Sequence, residues 1–364
     1  MEHTMALCGL LKQFFGWHGS RVECISQLVL GLIHVRTVNL AELAQAFCTT
    51  AKLESNYKRL QRLFRQFSVD FDRVAQFVAS LVPLSRLPLT MDRTNWKWGK
   101  KNINVLVLGI AYKGAAFPLL WISLAKRGNS NTAERIALIA RFLRIFSIDR
   151  IQCLLADREF IGKRWLGYLI DKSILFRIRI KNNSRVTNSR GKTVKVQNLF
   201  RDVRPGHYKI LTGKRRLWGL DLYVVGLKMP NGELVIIVTP LEPQTAISDY
   251  KERWQIETLF GCLKTRGFRF EATHMTNPER IDRLMAYLAI AFVWAHSIGE
   301  WLNEQRPIRI KKHQRPAQSI FAYGLGHLRH WLLGIHQSCK LAMFRLAVDR
   351  LHERLFPDKQ MVTA

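Results

Sequence analysis

Apolar residues recur along the chain with two different periods, and the change between them divides it. Between residues 20 and 67 the spacing is helical. An apolar segment runs around Ile25 to Val35, a second is opened by Asn39 with Glu42 as its capping pair, and a third follows Ser55. In the third, Leu60, Leu63, Phe64 and Phe67 fall on one side while Lys58, Arg62 and Arg65 fall on another, so one face packs and the other is cationic. From Leu87 the strand period takes over: Leu87 to Thr94, Ile103 to Tyr112 after the turn Trp98-Gly99-Lys100-Lys101, then Ala115 to Ser123, an antiparallel meander. A helical stretch from Thr132 to Phe146 and a short apolar strand from Ile151 to Ala156, ending at Asp157, make the layer mixed α/β.

Strand signals dominate residues 174 to 239, at Ile174 to Ile180, Tyr208 to Leu211, Leu217 to Val225 and Leu234 to Thr239. A hairpin turn at Pro230-Asn231-Gly232 and a basic loop from Lys181 to Lys192 separate them, and the stretch reads as a β-rich insertion at about 174–243. After Pro243 the chain is helical again, from Ser248 to Thr265 and from Pro278 to Asn303. A basic, proline-bounded segment from Arg306 to Pro316 precedes two amphipathic stretches, Ala317 to Leu333 and Leu341 to Leu355, for which the main body and a second protomer are both open as partners. The division expected is a helical region at 1–84, an α/β domain at 85–305 and a C-terminal helical region at 306–364.

The composition narrows the partner. With 57 Lys and Arg against 27 Asp and Glu, the net charge is +30, which calls for a polyanion. An apolar share of 48% excludes a solvated basic tail. The longest apolar run, Leu284 to Ala295, falls short of the roughly 18 residues of a membrane span and reads as a buried helix. Met1 to Leu10 lacks the pattern of a secretion signal, so the cytoplasm is the expected compartment. The six cysteines lie far apart, and His327 with His330 sits in an amphipathic stretch, so neither a zinc site nor a histidine metal site is expected.

Three acidic positions carry the candidate chemistry. Asp92 lies inside the first strand, on the same side as Thr90 and Thr94, where a charge is unusual. Asp157 ends a short apolar strand, at the edge where α/β proteins place ligands; capping of the next helix is the competing role. In the helix from Ser248, Tyr250, Arg253, Glu257 and Lys264 fall on one stripe at about 100° per residue, beside the anchoring face of Ile256, Leu259, Phe260 and Leu263. Taken alone, Arg253 and Glu257 are also an ordinary i,i+4 ion pair worth about 0.3–0.5 kcal/mol.

The spacing Tyr250-x2-Arg253-x3-Glu257-x6-Lys264 resembles the Y-R-E-K signature of bacterial insertion-sequence transposases of the DDE type, the group called insertion-sequence family four. Thr90-Met91-Asp92-Arg93-Thr94-Asn95-Trp96 and Ala156-Asp157-Arg158-Glu159-Phe160 resemble its two aspartate motifs, in the same order. The resemblance implies a ribonuclease H-like catalytic core with Asp92 on the first strand, Asp157 at the end of the fourth and Glu257 on a later helix, together holding two Mg²⁺ or Mn²⁺ ions. It implies that Tyr250, Arg253 and Lys264 contact DNA near the element's end. Independently of the resemblance, a three-helix unit suits docking on DNA with its third helix as the reader through Lys58, Arg62 and Arg65, against an equally weighted reading of that face as solvated. It implies cut-and-paste chemistry at terminal inverted repeats through a DNA hairpin, with strand transfer into target DNA, by a homodimer associated with the bacterial nucleoid.

The family's hairpin step uses an insertion tryptophan that stacks a flipped base. Trp218 is the one tryptophan of the 174–243 stretch and so the candidate, against a plain core position. Trp96 and Trp98, interleaved with Lys97, Lys100 and Lys101, divide between gripping DNA and packing in the core. Other classes consistent with the charge are a ribonuclease H-like nuclease without strand joining, a non-catalytic DNA-binding derivative, and a structural RNA-binding protein, the last leaving the three spaced motifs as accidents.

Overall fold

The computed structural model describes residues 2–312, 314–334 and 337–357; Met1 and, within the expected C-terminal region, residues 313, 335, 336 and 358–364 lie outside the described residues. Five helices come first: α1 (Glu2–Phe15), α2 (Gly19–Val35), α3 (Leu40–Gln45), α4 (Leu53–Gln66) and α5 (Phe71–Ser80). The helical period marks three of them, α2 to α4. Asn39 caps α3 by accepting the Ala41 N–H at 2.9 Å, and Asp70 caps α5 by accepting from Asp72 and Arg73.

The meander follows as β1 (Leu87–Trp98), β2 (Lys101–Tyr112) and β3 (Ala115–Ser123), then α6 (Thr132–Ile145), β4 (Ile151–Ala156) and α7 (Lys163–Asp171). Next come β5 (Phe176–Ile180), β6 (Arg185–Thr187), β7 (Thr193–Lys195), β8 (Tyr208–Ile210), β9 (Arg215–Leu217), β10 (Leu220–Lys228) and β11 (Leu234–Thr239). The remaining helices are α8 (Ala246–Lys251), α9 (Gln255–Leu263), α10 (Pro278–Gln305), α11 (Ile320–Leu333) and α12 (Ser338–Leu355).

Nine strands form one mixed sheet in the order β3-β2-β1-β4-β5-β11-β10-β8, with β9 on β10. β1 is antiparallel to β2 and parallel to β4, and β4 is parallel to β5. All ten residues from Ile103 to Tyr112 in β2 are buried, and because successive side chains point to opposite faces, both faces of the sheet are covered there. The stretch 174–243 is rich in strands, most of which join the main sheet. β5, β11, β10 and β8 extend the main sheet, since Ile178, Ile180, Val224, Ile236 and Val238 bury in it, and only β6 and β7 pair separately. The strand expected from Leu217 to Val225 is cut at Trp218-Gly219, whose φ values of 49° and 81° are those of a tight two-residue hairpin turn.

α10 is long and apolar enough to cross a membrane, but Leu284 through Glu300 are buried against α2, α5, α11 and β3. It meets α11 at Gly299 and Gly324, where an added Cβ would lie 1.9 Å from the Ile320 carbonyl oxygen and 1.8 Å from that of Ala295. α12 closes over α1 and α10, with Phe344 buried and the Trp294 indole donating to the Ala347 carbonyl at 3.2 Å. The two terminal helices therefore spend their apolar faces on the chain's own core.

Candidate active site

Strand register brings the first two carboxylates level. Met91 pairs with Ala156 across the parallel strands β1 and β4, so Asp92 and Asp157 are the next residues along each chain. Arg93 then ties the turn after β4 to β1. Its guanidinium meets Glu159 at 2.9 and 3.0 Å and spends its remaining donors on Asn104 and Asn129 at 2.9 and 3.0 Å.

Glu257 arrives on a helix that is not continuous. The expected Ser248 to Thr265 helix is interrupted by a 3-10 turn at Glu252–Trp254 and stops at Leu263; Lys264 has left helical geometry, with ψ of −109°. The single stripe therefore joins Tyr250, Arg253 and Glu257 but not Lys264. Arg177 on β5 anchors the start of this segment. Fully buried, it donates Nε to Asp249 at 3.0 Å, Nη2 to the Thr245 hydroxyl at 2.8 Å and Nη1 to the Leu241 carbonyl at 2.8 Å, with Thr239 as a further partner.

Arg253 occupies the space the acidic groups share. It is only 8% exposed, donates to Glu257 at 2.7 Å and lies 3.6 Å from Asp92. Tyr250 donates its hydroxyl to Asp157 at 3.4 Å. Burial lifts the Asp92 carboxyl to about 6, against the pull of the Arg93 N–H and the Arg253 charge and with the added push of Glu159 and Asp157. Among the described residues no three His, Cys, Asp or Glu side chains close up as metal ligands do; a guanidinium stands between them instead.

Around this centre the remaining candidates separate. Lys264 pairs with Glu271 at 2.6 Å and donates to the Asn95 carbonyl at 3.3 Å. Trp96 is buried against Phe270, whereas Trp98 is 39% exposed and stacks on His274 at 4.3 Å. Trp218 sits half-buried on the core in the β9–β10 turn, and β10 is four strands from β1 in the sheet. Lys58, Arg62 and Arg65 are exposed along a groove of about 670 Å³ whose opposite wall is Thr273 to Asn277 with Arg280. Three features escaped the sequence: the Arg93–Glu159 clamp, Arg177, and Trp254, which is 62% exposed beside Arg253. An arginine inside the apolar strand Phe176-Arg177-Ile178 was the available signal for the second.

Residues 79–294, more than half of the chain, match the family model described as the transposase DDE domain. The chain belongs to that family. DDE transposases are enzymes of the nucleotidyl-transfer type and generally use divalent metal ions. No curated protein matches. Among solved structures, a piggyBac transposase synaptic complex with hairpin DNA, seen by cryo-EM, superposes with a TM-score of 0.46 at 12% identity, over 96% of this chain and 83% of that one.

The donor set of this DDE transposase fits a hard divalent cation: its acidic groups supply oxygen ligands only, and two of them, Asp92 and Glu257, already face a positive charge.

Proposed function

We propose that this transposase cuts DNA at the terminal inverted repeats of an insertion sequence and joins the freed ends to target DNA, with Asp92, Asp157 and Glu257 as ligands of two Mg²⁺ or Mn²⁺ ions. The observation that carries this reading is the gathering of acidic side chains from β1, the end of β4 and α9 around the nearly buried Arg253. Charges held that way by rigid elements are expensive unless a cation is part of the design. Bound divalent ions supply Lewis-acid stabilisation of the attacking and leaving oxygens.

The chain's own groups do the rest. Tyr250 orients Asp157, and Arg93 with Glu159 holds the turn that carries it. Arg253, once it exchanges its carboxylate partners for a phosphate, neutralises the DNA backbone at the cleavage position. Trp254 presents an exposed ring for an unstacked base, a position better placed than Trp218. Lys58, Arg62 and Arg65 along their groove, and Lys264 beside β1, complete the DNA contacts. A ribonuclease H-like core is supported by Asp92 on the first strand, Asp157 after the fourth and Glu257 on a later helix. Membership of insertion-sequence family four rests on the Tyr250, Arg253, Glu257 and Lys264 spacing, and with it come a hairpin intermediate, a homodimer bridging two ends and association with the nucleoid.

The test is incubation of the purified protein with Mg²⁺ and labelled DNA carrying the element's ends, resolved on a denaturing gel, with Asp92→Ala, Asp157→Ala and Glu257→Ala alongside. Metal-dependent cleavage at the ends with joined products, lost in each variant while DNA binding persists, is the expected result. Cleavage without joining would make it a nuclease, and binding without cleavage a non-catalytic derivative.

A further inference from the structure

Four arginines from three separate parts of the chain meet around the loop that follows α9. Arg36 ends α2 in the left-handed region, with φ of 57°, and donates Nη2 to the Arg266 carbonyl at 2.7 Å; its Nε is buried without a partner. Arg329 of α11 donates Nε to the His34 carbonyl at 2.8 Å. Arg266 and Arg269 belong to the loop that leaves α9 immediately after Lys264. Arg36 and Arg329 line both of two cavities, one of about 430 Å³ shared with Arg266 and His330, the other of about 220 Å³ shared with Arg269, Thr265 and Gly267.

No Asp or Glu lines either cavity, and none of the four arginines forms an ion pair among the described residues. The acidic neighbour in this loop, Glu271, is taken by Lys264 at 2.6 Å. Elsewhere the fold pairs its arginines with care, as Arg93 with Glu159 and Arg177 with Asp249. Burial and the charges of Arg329 and Arg269 push the Arg36 pKa below its usual value, so the free protein carries a repulsion that an anion would relieve. Guanidinium forks bordering two adjoining cavities that share Arg36 and Arg329 match the oxygens of a phosphate.

We propose that Arg36, Arg266, Arg269 and Arg329 form a second phosphate site, which grips the DNA backbone beside the catalytic helix and so fixes the duplex relative to Glu257. This rests on the transposase reading above. The shared chemistry is a phosphate, and DNA is favoured over a free anion because Arg266 and Arg269 are exposed and follow directly on the helix that carries Glu257.

The test measures affinity of the full chain for a labelled terminal-repeat duplex from low to high salt, in wild type, Arg266→Ala/Arg269→Ala and Arg266→Lys/Arg269→Lys. The alanine pair should flatten the slope of log affinity against log salt by about 1.8, at ~0.9 per lost phosphate contact, while the lysine pair keeps it. Both positions are exposed, and should the pair fail to fold, Arg269→Ala alone carries the test with a slope loss of about 0.9. An unchanged slope would overturn the proposal. Inorganic phosphate raising the Tm of wild type but not of the alanine pair, with the DNA slope unchanged, would assign the pocket to a free anion and overturn the DNA assignment. Metal-dependent cleavage by wild type is read separately: its absence counts against the transposase reading, not against a slope loss at this pocket.

Discussion

Arg177 and Arg253 both bear on the segment from α8 to α9, Arg177 gripping its start from β5 and Arg253 lying within its 3-10 turn, and their surroundings differ in kind. Arg177 is fully buried, and its donors find one near carboxylate, hydroxyls and a carbonyl, which together match the fork of a guanidinium. Arg253 faces Asp92 and Glu257 directly, with Asp157 close by on Tyr250, so its one positive charge stands among three negative ones. The first arrangement is closed and serves to fix α8 on β5. The second is over-supplied with negative charge, and such an excess is what a site has when further cations are meant to join it.

The largest effect should come from the closed arrangement. Arg177→Leu leaves Asp249 buried in part without its cation and strips Thr245 and Leu241 of a donor, and loss of one partner of a buried pair costs about 3–5 kcal/mol. A fall of that size is expected in urea unfolding, together with lost cleavage because the helix carrying Glu257 has lost its anchor. A stability change below about 1 kcal/mol would show that Arg177 does not hold the segment.

Arg253→Gln should divide differently. Cleavage is expected to fall roughly 10²–10³-fold, the usual cost of removing a donor aimed at developing charge. In the absence of DNA, Mg²⁺ should raise the Tm of this variant more than that of wild type, because the guanidinium that competes for the carboxylates is gone. An equal Mg²⁺ response in both proteins would mean that Arg253 does not occupy the cation position.

A third charge, half-buried, forms no ion pair among the described residues, although the charges of Arg141 and Arg283 act on it. Asp282 on α10 accepts the Ser123 hydroxyl at 2.7 Å, and burial raises its carboxyl from 3.8 to about 6. A raised carboxyl contributes stability that is complete below pH 3.8 and is lost as pH climbs through 6, so ionised Asp282 weakens the fold at neutral pH. Asp282→Asn keeps the acceptor without the charge. It should match wild type near pH 4 and exceed it by ~2–3 kcal/mol at pH 8, because each tenfold change in proton affinity between folded and unfolded chain is worth about 1.4 kcal/mol. Equal stability of the two proteins at pH 8 would leave Asp282 without this burden.

What the sequence made legible was the part governed by local periodicity. β3, β4 and β11 begin and end within a residue of where the pattern put them, because each is a short, largely apolar stretch between turn residues. α5 escaped, though Asp70 before Phe71 is an ordinary capping signal. The membership of β5, β8, β10 and β11 in one sheet escaped as well, since pairing between distant strands leaves no mark on spacing. At the site, spacing showed that Tyr250, Arg253 and Glu257 share a face, but neither the 3-10 turn nor the early end of α9 is written in the period. The partners of Arg93 and Arg177 lie 66 and 72 residues away, beyond any local pattern.

The smallest effect sharpens the comparison at Lys264, whose ammonium is neither closed like Arg177 nor crowded like Arg253. Its pair with Glu271 is partly exposed, with the carboxylate side chain 43% accessible, and pairs of that kind are worth about 0–1 kcal/mol. A phosphate can displace such a partner at little cost. Glu271→Gln should therefore free Lys264 and strengthen binding to end DNA by a few-fold at low salt, whereas Lys264→Ala should weaken it and flatten the salt slope by about 0.9. Stability should hardly change in the first case, because Lys264 keeps its bond to the Asn95 carbonyl at 3.3 Å. If both variants bind DNA with the wild-type slope, Lys264 belongs with Arg177 as a brace, joining the end of α9 to β1 three residues beyond Asp92.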